Sequence, residues 1–184
     1  PRASGMGHEV GGPKISQYWT EHCNDLIYRV CQLYPDKFIP AAQLPQSPGV
    51  SPEACLAEID RVVNELGFVG VNINPDVAGG GQPFTPPLSD KWWDPLWEKM
   101  VELDIPGLIH GTSTVNPALH LNGSHYTNVD AAAVFDLCWG NVFDRFPDLK
   151  IIVPHGGGNL PFVFNRLRSL AVGAKKRPFE ETIK

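Results

Sequence analysis

The sequence predicts an α/β fold of parallel strand–helix units, and three observations carry that prediction. Short runs of β-branched and apolar residues alternate with stretches of helical periodicity, at intervals of about thirty to forty-five residues. The runs are continuous in apolar character, as strands buried on both faces are. Three of them end in polar, ligand-type residues: Asn72 and Asn74, then His110, then His155. Alternating strands and helices imply a parallel sheet with right-handed crossovers. Functional residues at successive strand tips favour a barrel, where several strands feed one mouth, over an open doubly wound sheet. Four units are half of eight, so residues 1–184 read as one domain forming about half of a TIM-like barrel. Such a half leaves two sheet edges open, so either further chain or a second copy is expected beside it.

Each element has its own warrant. Residues 15–34 are helical by spacing, with Trp19, Cys23, Leu26, Ile27, Val30 and Leu33 on one apolar face, and Pro35 stops them. Residues 38–44 read as the first strand. Ser51-Pro52-Glu53 opens the second helix with a cap and a proline in its first turn, and Gly67 ends it. Residues 68–74 form the second strand, and a long Gly/Pro loop over 75–88 follows, of the length that often covers a site. Ser89 or Asp90 caps the third helix, whose Trp93, Leu96, Trp97, Met100 and Leu103 recur at core spacing. The third strand runs to His110. A polar loop over 111–128 carries His120, His125 and Tyr126, and a helix from about 130 to 146 follows. The fourth strand leads through Pro154 into His155 and three glycines. The last helix contains Asn165, Arg166 and Arg168.

Composition removes several functions. Net charge is −5, without the basic stripe that nucleic acid requires. No apolar run approaches the roughly 20 residues that cross a bilayer. Cys23, Cys31, Cys55 and Cys138 lack CxxC spacing and sit in apolar or helical stretches, which predicts free thiols and a reducing, cytoplasmic setting. No leader pattern follows Pro1, so no signal peptide is expected. The opening Pro1-Arg2-Ala3-Ser4 and a C-terminal segment without a closing element read as an internal piece of something longer.

Two imidazoles, His110 and His155, end neighbouring parallel strands, whose tips lie roughly 5 Å apart. Imidazole is the commonest metal ligand, so the pair suits zinc or another divalent ion. Taken together, Ile109-His110-Gly111-Thr112, Gly123-Ser124-His125-Tyr126 with Asn128 and Asp130, and Pro154-His155-Gly156-Gly157-Gly158-Asn159 with Arg166 resemble the amidohydrolase-2 family of metal-dependent barrels. Within it they are most similar to the 4-oxalomesaconate hydratases. The segments 44–50 and 72–75 share the likeness, which therefore spans most of the chain.

That resemblance implies a lyase that hydrates an electron-poor carbon–carbon double bond in a polycarboxylate intermediate of aromatic catabolism. It makes His110 a zinc ligand, and His155 a second ligand or proton-transfer group. Tyr126 moves a proton at the substrate carbon. Arg166, and Arg2 in a stretch like the family's Ser-Pro-Arg, bind carboxylates, with Asn72 as a further substrate contact. The family's His-x-His pair and its acidic ligand have no counterpart in these residues. Two ligands hold zinc weakly, so this chain alone is expected to be inactive. The rival readings are a metal-dependent decarboxylase of an aromatic or dienoic acid on the same scaffold, and an inactive fragment that only folds and self-associates.

Overall fold

A computed structural model describes residues 11–111, 114–120, 123–174 and 181. Arg2 lies outside the described residues. Four strands form one sheet: β1 (Ala42–Gln43), β2 (Val71–Ile73), β3 (Gly107–Ile109) and β4 (Ile151–Ile152). All neighbours are parallel and the spatial order is β1-β2-β3-β4. A doubly wound sheet reverses its order at a switch point, whereas a barrel adds strands in sequence. The order observed is the barrel's.

The strands are shorter than their apolar runs. Phe38 and Ile39 were expected in the first strand but are exposed, because Pro40 carries no N–H for a ladder. Among the described residues seven α-helices accompany the strands: α1 (Pro13–Leu33), α2 (Leu56–Asn64), α3 (Asp94–Glu102), α4 (Pro117–His120), α5 (Ser124–Trp139), α6 (Val142–Arg145) and α7 (Leu160–Gly173). Ser51 Oγ accepts from the Glu53 N–H at 3.3 Å and starts a 3-10 turn ahead of α2. Asp90, not Ser89, caps the turn before α3, accepting from the Trp92 N–H at 2.8 Å. Ser89 instead donates its hydroxyl to Asp136 at 2.6 Å and so ties that loop to α5. The helix expected from about residue 130 begins at Ser124, which makes Tyr126 helical; it yields at Gly140, where Asn141 takes φ 57° before α6.

Strand register sorts the side chains into two rows. Ala42, Val71, Gly107 and Ile151 align on the helix side, where Ile59, Val62, Trp93, Trp97 and Met100 complete the core. A Cβ at Gly107 would stand 2.5 Å from Ile73 Cδ1 and 2.6 Å from Met100 Cε, so α3 can lie directly on β3 only over a glycine. Trp93 and Trp97 stack at 5.8 Å within this core, as their spacing predicts. Gln43, Asn72, Leu108 and Ile152 form the opposite row.

Helix α1 departs in part from its sequence pattern: of the expected apolar face Cys23 is buried and Ile27 packs against the core, but the other four residues do not. Ser16, Thr20, Cys23 and Asn24 are its buried residues, while Trp19, Leu26, Val30 and Leu33 are exposed, Leu33 at 64%. The cause is the outer edge of β1. Asn24 Oδ1 accepts from the Gln43 N–H at 2.9 Å, and its Nδ2 donates to the Gln43 carbonyl at 3.0 Å. One side-chain amide thus occupies both edge groups as a neighbouring strand would. The same Nδ2 reaches the buried Glu58 carboxylate at 2.8 Å, which Arg61 grips through Nε and Nη2, each at 2.8 Å. An unpaired buried peptide group costs about 1–3 kcal/mol, so polar residues turn inward and most of the apolar stripe is left outside.

Among the cysteines, all are free; Cys23, Cys55 and Cys138 are buried and Cys31 is half-buried. Burial pushes the Cys55 thiol up to about 12.

Two outcomes follow from this packing. Asn24→Ala lowers stability by roughly 2–4 kcal/mol in urea titrations, because two peptide groups and a carboxylate lose a partner together, whereas Leu33→Ala stays within about 0.5 kcal/mol as a surface change. Native-state thiol titration at neutral pH labels Cys31 first and leaves Cys55 unreacted, since only the thiolate attacks.

Candidate functional site

His110 is the first residue beyond β3, and its N–H donates to the Ile73 carbonyl at 2.8 Å. Its Nδ1 lies 3.2 Å from the Gly111 carbonyl oxygen. A carbonyl only accepts, so that nitrogen carries the hydrogen and Nε2 keeps a free lone pair. His110 lines an open cavity of about 650 Å³ with Asn72 and Leu108 from the sheet and Leu26 and Val30 from the exposed stripe of α1. Asn72 is buried there, with Nδ2 at a long 3.4 Å from the Ala42 carbonyl.

His155 stands three residues past β4 in a turn of unusual hand. His155, Gly156, Gly157 and Gly158 take φ values of 52°, 66°, 88° and 66° in succession. Gly157 N–H donates to the Pro154 carbonyl at 3.0 Å and Gly158 N–H to the His155 carbonyl at 3.2 Å. For three glycines this left-handed turn is unstrained; for His155 it costs about 1–2 kcal/mol. What holds it is Asp130: His155 Nδ1 sits 2.7 Å from Asp130 Oδ2, with the carboxylate fully buried and the imidazole 50% exposed.

Both histidine segments are seated on the first turns of α5. Asn159 N–H donates to the Thr127 carbonyl at 3.3 Å, and its side-chain amide bonds Asn128. A Cβ at Gly158 would stand 2.4 Å from the Thr127 carbonyl oxygen and 2.9 Å from Asp130 Cβ. On the other side, a Cβ at Gly111 would meet Val129 Cγ1 at 3.1 Å and the Tyr126 ring at 3.7 Å. Tyr126 and Asp130 are four residues apart and share a helix face. A little over one turn of helix therefore touches the residue after His110 and the imidazole of His155. Tyr126 also packs its ring 5.5 Å from that of His125.

The loop over 75–88 is tied down. Asp76 accepts from the Gly80 N–H at 2.6 Å and the Thr85 hydroxyl at 3.0 Å, and Gly79 accepts from the Val115 N–H at 2.9 Å, joining this loop to the one after β3. Arg166 is exposed on α7, with no ion pair among the described residues. Asp130 belongs to the motif that carries Tyr126 but has no expected role in the site; its signal is the four-residue spacing from Tyr126, which puts both on one face once the helix begins at Ser124.

The donor set suits part of a divalent-metal site. Each imidazole has Nδ1 tied to an oxygen, the arrangement that orients metal-binding histidines and leaves Nε2 to the ion. Among the described residues no three His, Cys, Asp or Glu side chains gather, so the complete ligand set is not assembled there.

A parallel sheet in barrel order with histidines beyond adjacent strands defines the class, and residues 1–173 match the family model described as amidohydrolase; the chain belongs to that family. Its relatives are more particular. It is 46% identical over 183 residues to 2-keto-4-carboxy-3-hexenedioate hydratase of Sphingobium sp. (strain NBRC 103272 / SYK-6), covering 100% of this chain and 53% of that protein. The solved structure of 4-oxalomesaconate hydratase from Rhodopseudomonas palustris superposes with a TM-score of 0.83 at 45% identity, over 95% of this chain and 50% of that one. A 5-carboxyvanillate decarboxylase from Novosphingobium aromaticivorans, solved with manganese and 4-hydroxy-3-methoxy-5-nitrobenzoic acid, gives 0.78 at 27% identity over 96% and 51%. The chain spans about half the length of these relatives. The family implies a divalent metal, and the 5-carboxyvanillate decarboxylase holds manganese.

The seat on α5 is testable. Gly158→Ala pushes the glycine turn off Thr127 and Asp130, so the His155–Asp130 bond opens while the core is untouched. The expected result is a loss of about 1–3 kcal/mol in stability and a shift of the His155 ring resonances in NMR spectra, with those of His110 unchanged.

Proposed function

We propose that the complete polypeptide carrying this chain is a hydro-lyase adding water to a carbon–carbon double bond of a polycarboxylate intermediate in aromatic catabolism. The observation that carries the reading is the seating of both histidine segments on the helical turn that holds Tyr126, in a chain 46% identical to a hydratase.

Hydration delivers a proton to one alkene carbon and hydroxide to the other, while negative charge develops beside the carboxylates. Tyr126 carries the hydroxyl for the carbon. His155, oriented through Nδ1, presents Nε2 as the site's proton acceptor or as a second ligand. His110 would help hold the metal through Nε2, and that metal, zinc in this reading, would supply Lewis-acid polarisation when bound. The exposed guanidinium of Arg166 fits a carboxylate through its planar fork. Arg2 serves a second carboxylate, and the loosely held Asn72 amide a further oxygen. Free thiols accord with a cytoplasmic setting. The half-exposed Ile152 on the last strand accords with self-association.

A decarboxylase is the second reading, favoured by the manganese-bound neighbour at 27% identity. Mass spectrometry of polycarboxylate alkenes incubated with the complete, metal-loaded polypeptide separates the two. Gain of water is expected, Tyr126→Phe lowers kcat by about 10²–10⁴-fold, and chelation abolishes turnover. Loss of carbon dioxide instead would establish the decarboxylase, and no metal-dependent product of either kind would refute both. The 184-residue chain alone is expected to bind zinc weakly and to turn over nothing.

A further inference from the structure

We infer that Asp130 is a positioning residue that fixes the tautomer and orientation of the His155 imidazole, holding the proton on Nδ1 and leaving Nε2 as the free acceptor. The inference rests on the proposed function only for the use made of Nε2; the tautomer itself does not depend on it.

Four observations converge on Asp130. Its side chain is fully buried, yet its one hydrogen-bonding partner among the described residues is a half-exposed imidazole, at 2.7 Å. A buried carboxylate that neutralised a structural cation would be met by lysine or arginine, as Glu58 is by Arg61. Asp130 has no such partner among the described residues, and its second oxygen, Oδ1, is buried without a hydrogen bond. A carboxylate acceptor at Nδ1 obliges that nitrogen to be the donor. The glycine turn then reinforces the direction: it brings His155 onto α5 in a left-handed conformation that is uncommon for any residue but glycine. Gly158 packs against Asp130 Cβ itself, so turn and carboxylate are positioned together. His110 is oriented by a backbone carbonyl that no side-chain substitution removes. His155 is oriented by a side chain, and that makes Asp130 the replaceable part of the site.

The test reads the imidazole directly. Nitrogen-15 NMR of the complete polypeptide, at a pH of about 9 where an ordinary imidazole is neutral, is recorded before and after metal is stripped. His155 is expected as the Nδ1–H tautomer in both spectra, so that no bound ion accounts for it. Asp130→Ala should release the proton to Nε2, wholly or as a mixture. The same variant should lower kcat by about 10–100-fold with little change in KM, since substrate binding is left alone. A wild-type His155 protonated on Nε2 after metal removal overturns the inference by itself, even if the variant does not fold. A folded Asp130→Ala that keeps the pure Nδ1–H tautomer and full kcat overturns it equally. Absence of hydratase activity in the wild type, with the tautomer result as expected, counts against the proposed function and leaves the role of Asp130 standing.

Discussion

The seat that α5 offers to two loops is the constraint on which the site depends. Parallel strands bring their carboxyl ends side by side, but ends alone do not aim side chains. Tyr126 and Val129 close over Gly111 beside His110, while Thr127, Asn128 and Asp130 receive the turn that bears His155. One rigid helical turn thereby sets both imidazole-bearing segments against a common reference. Because helix and strands share the packed core through Ala133, Leu137 and Ile109, the reference is stiff, which is what a preorganised site requires.

A second constraint works at the opposite edge of the sheet. The outer edge of β1 needs hydrogen-bonding partners, and Asn24 supplies a donor and an acceptor from one amide. That requirement outweighs the apolar periodicity of α1 and leaves its stripe lining the cavity that contains His110 and Asn72. A wide apolar wall beside a few convergent polar groups is the common form of small-molecule sites. The relatives are about twice as long as this chain.

The substrate class proposed above is anionic, whereas the chain itself is acidic. Overall charge is −5, so attraction of carboxylates must come from local groups, and the Arg166 guanidinium has no competing anion among the described residues. The hydratase relatives and the more distant decarboxylase share this scaffold. Moving a proton at a carbon next to a carboxylate is a step that both chemistries need, and a fold hosts such changes through its site residues.

From the sequence alone, the strand–helix alternation, the parallel sheet in barrel order, the tryptophan core and the placement of His110 and His155 just past strand ends were legible. These are local signals: period, turn residues and a polar group ending an apolar run. The polar face that α1 turns inward, the early start of α5 and the pairing of Asp130 with His155 were decided only by tertiary structure. Each of those turns on which buried hydrogen-bonding group finds a partner distant in the chain, Asn24 with Gln43 or Asp130 with His155. Periodicity counts apolar residues, and so it cannot register a polar requirement that arises only when two segments meet.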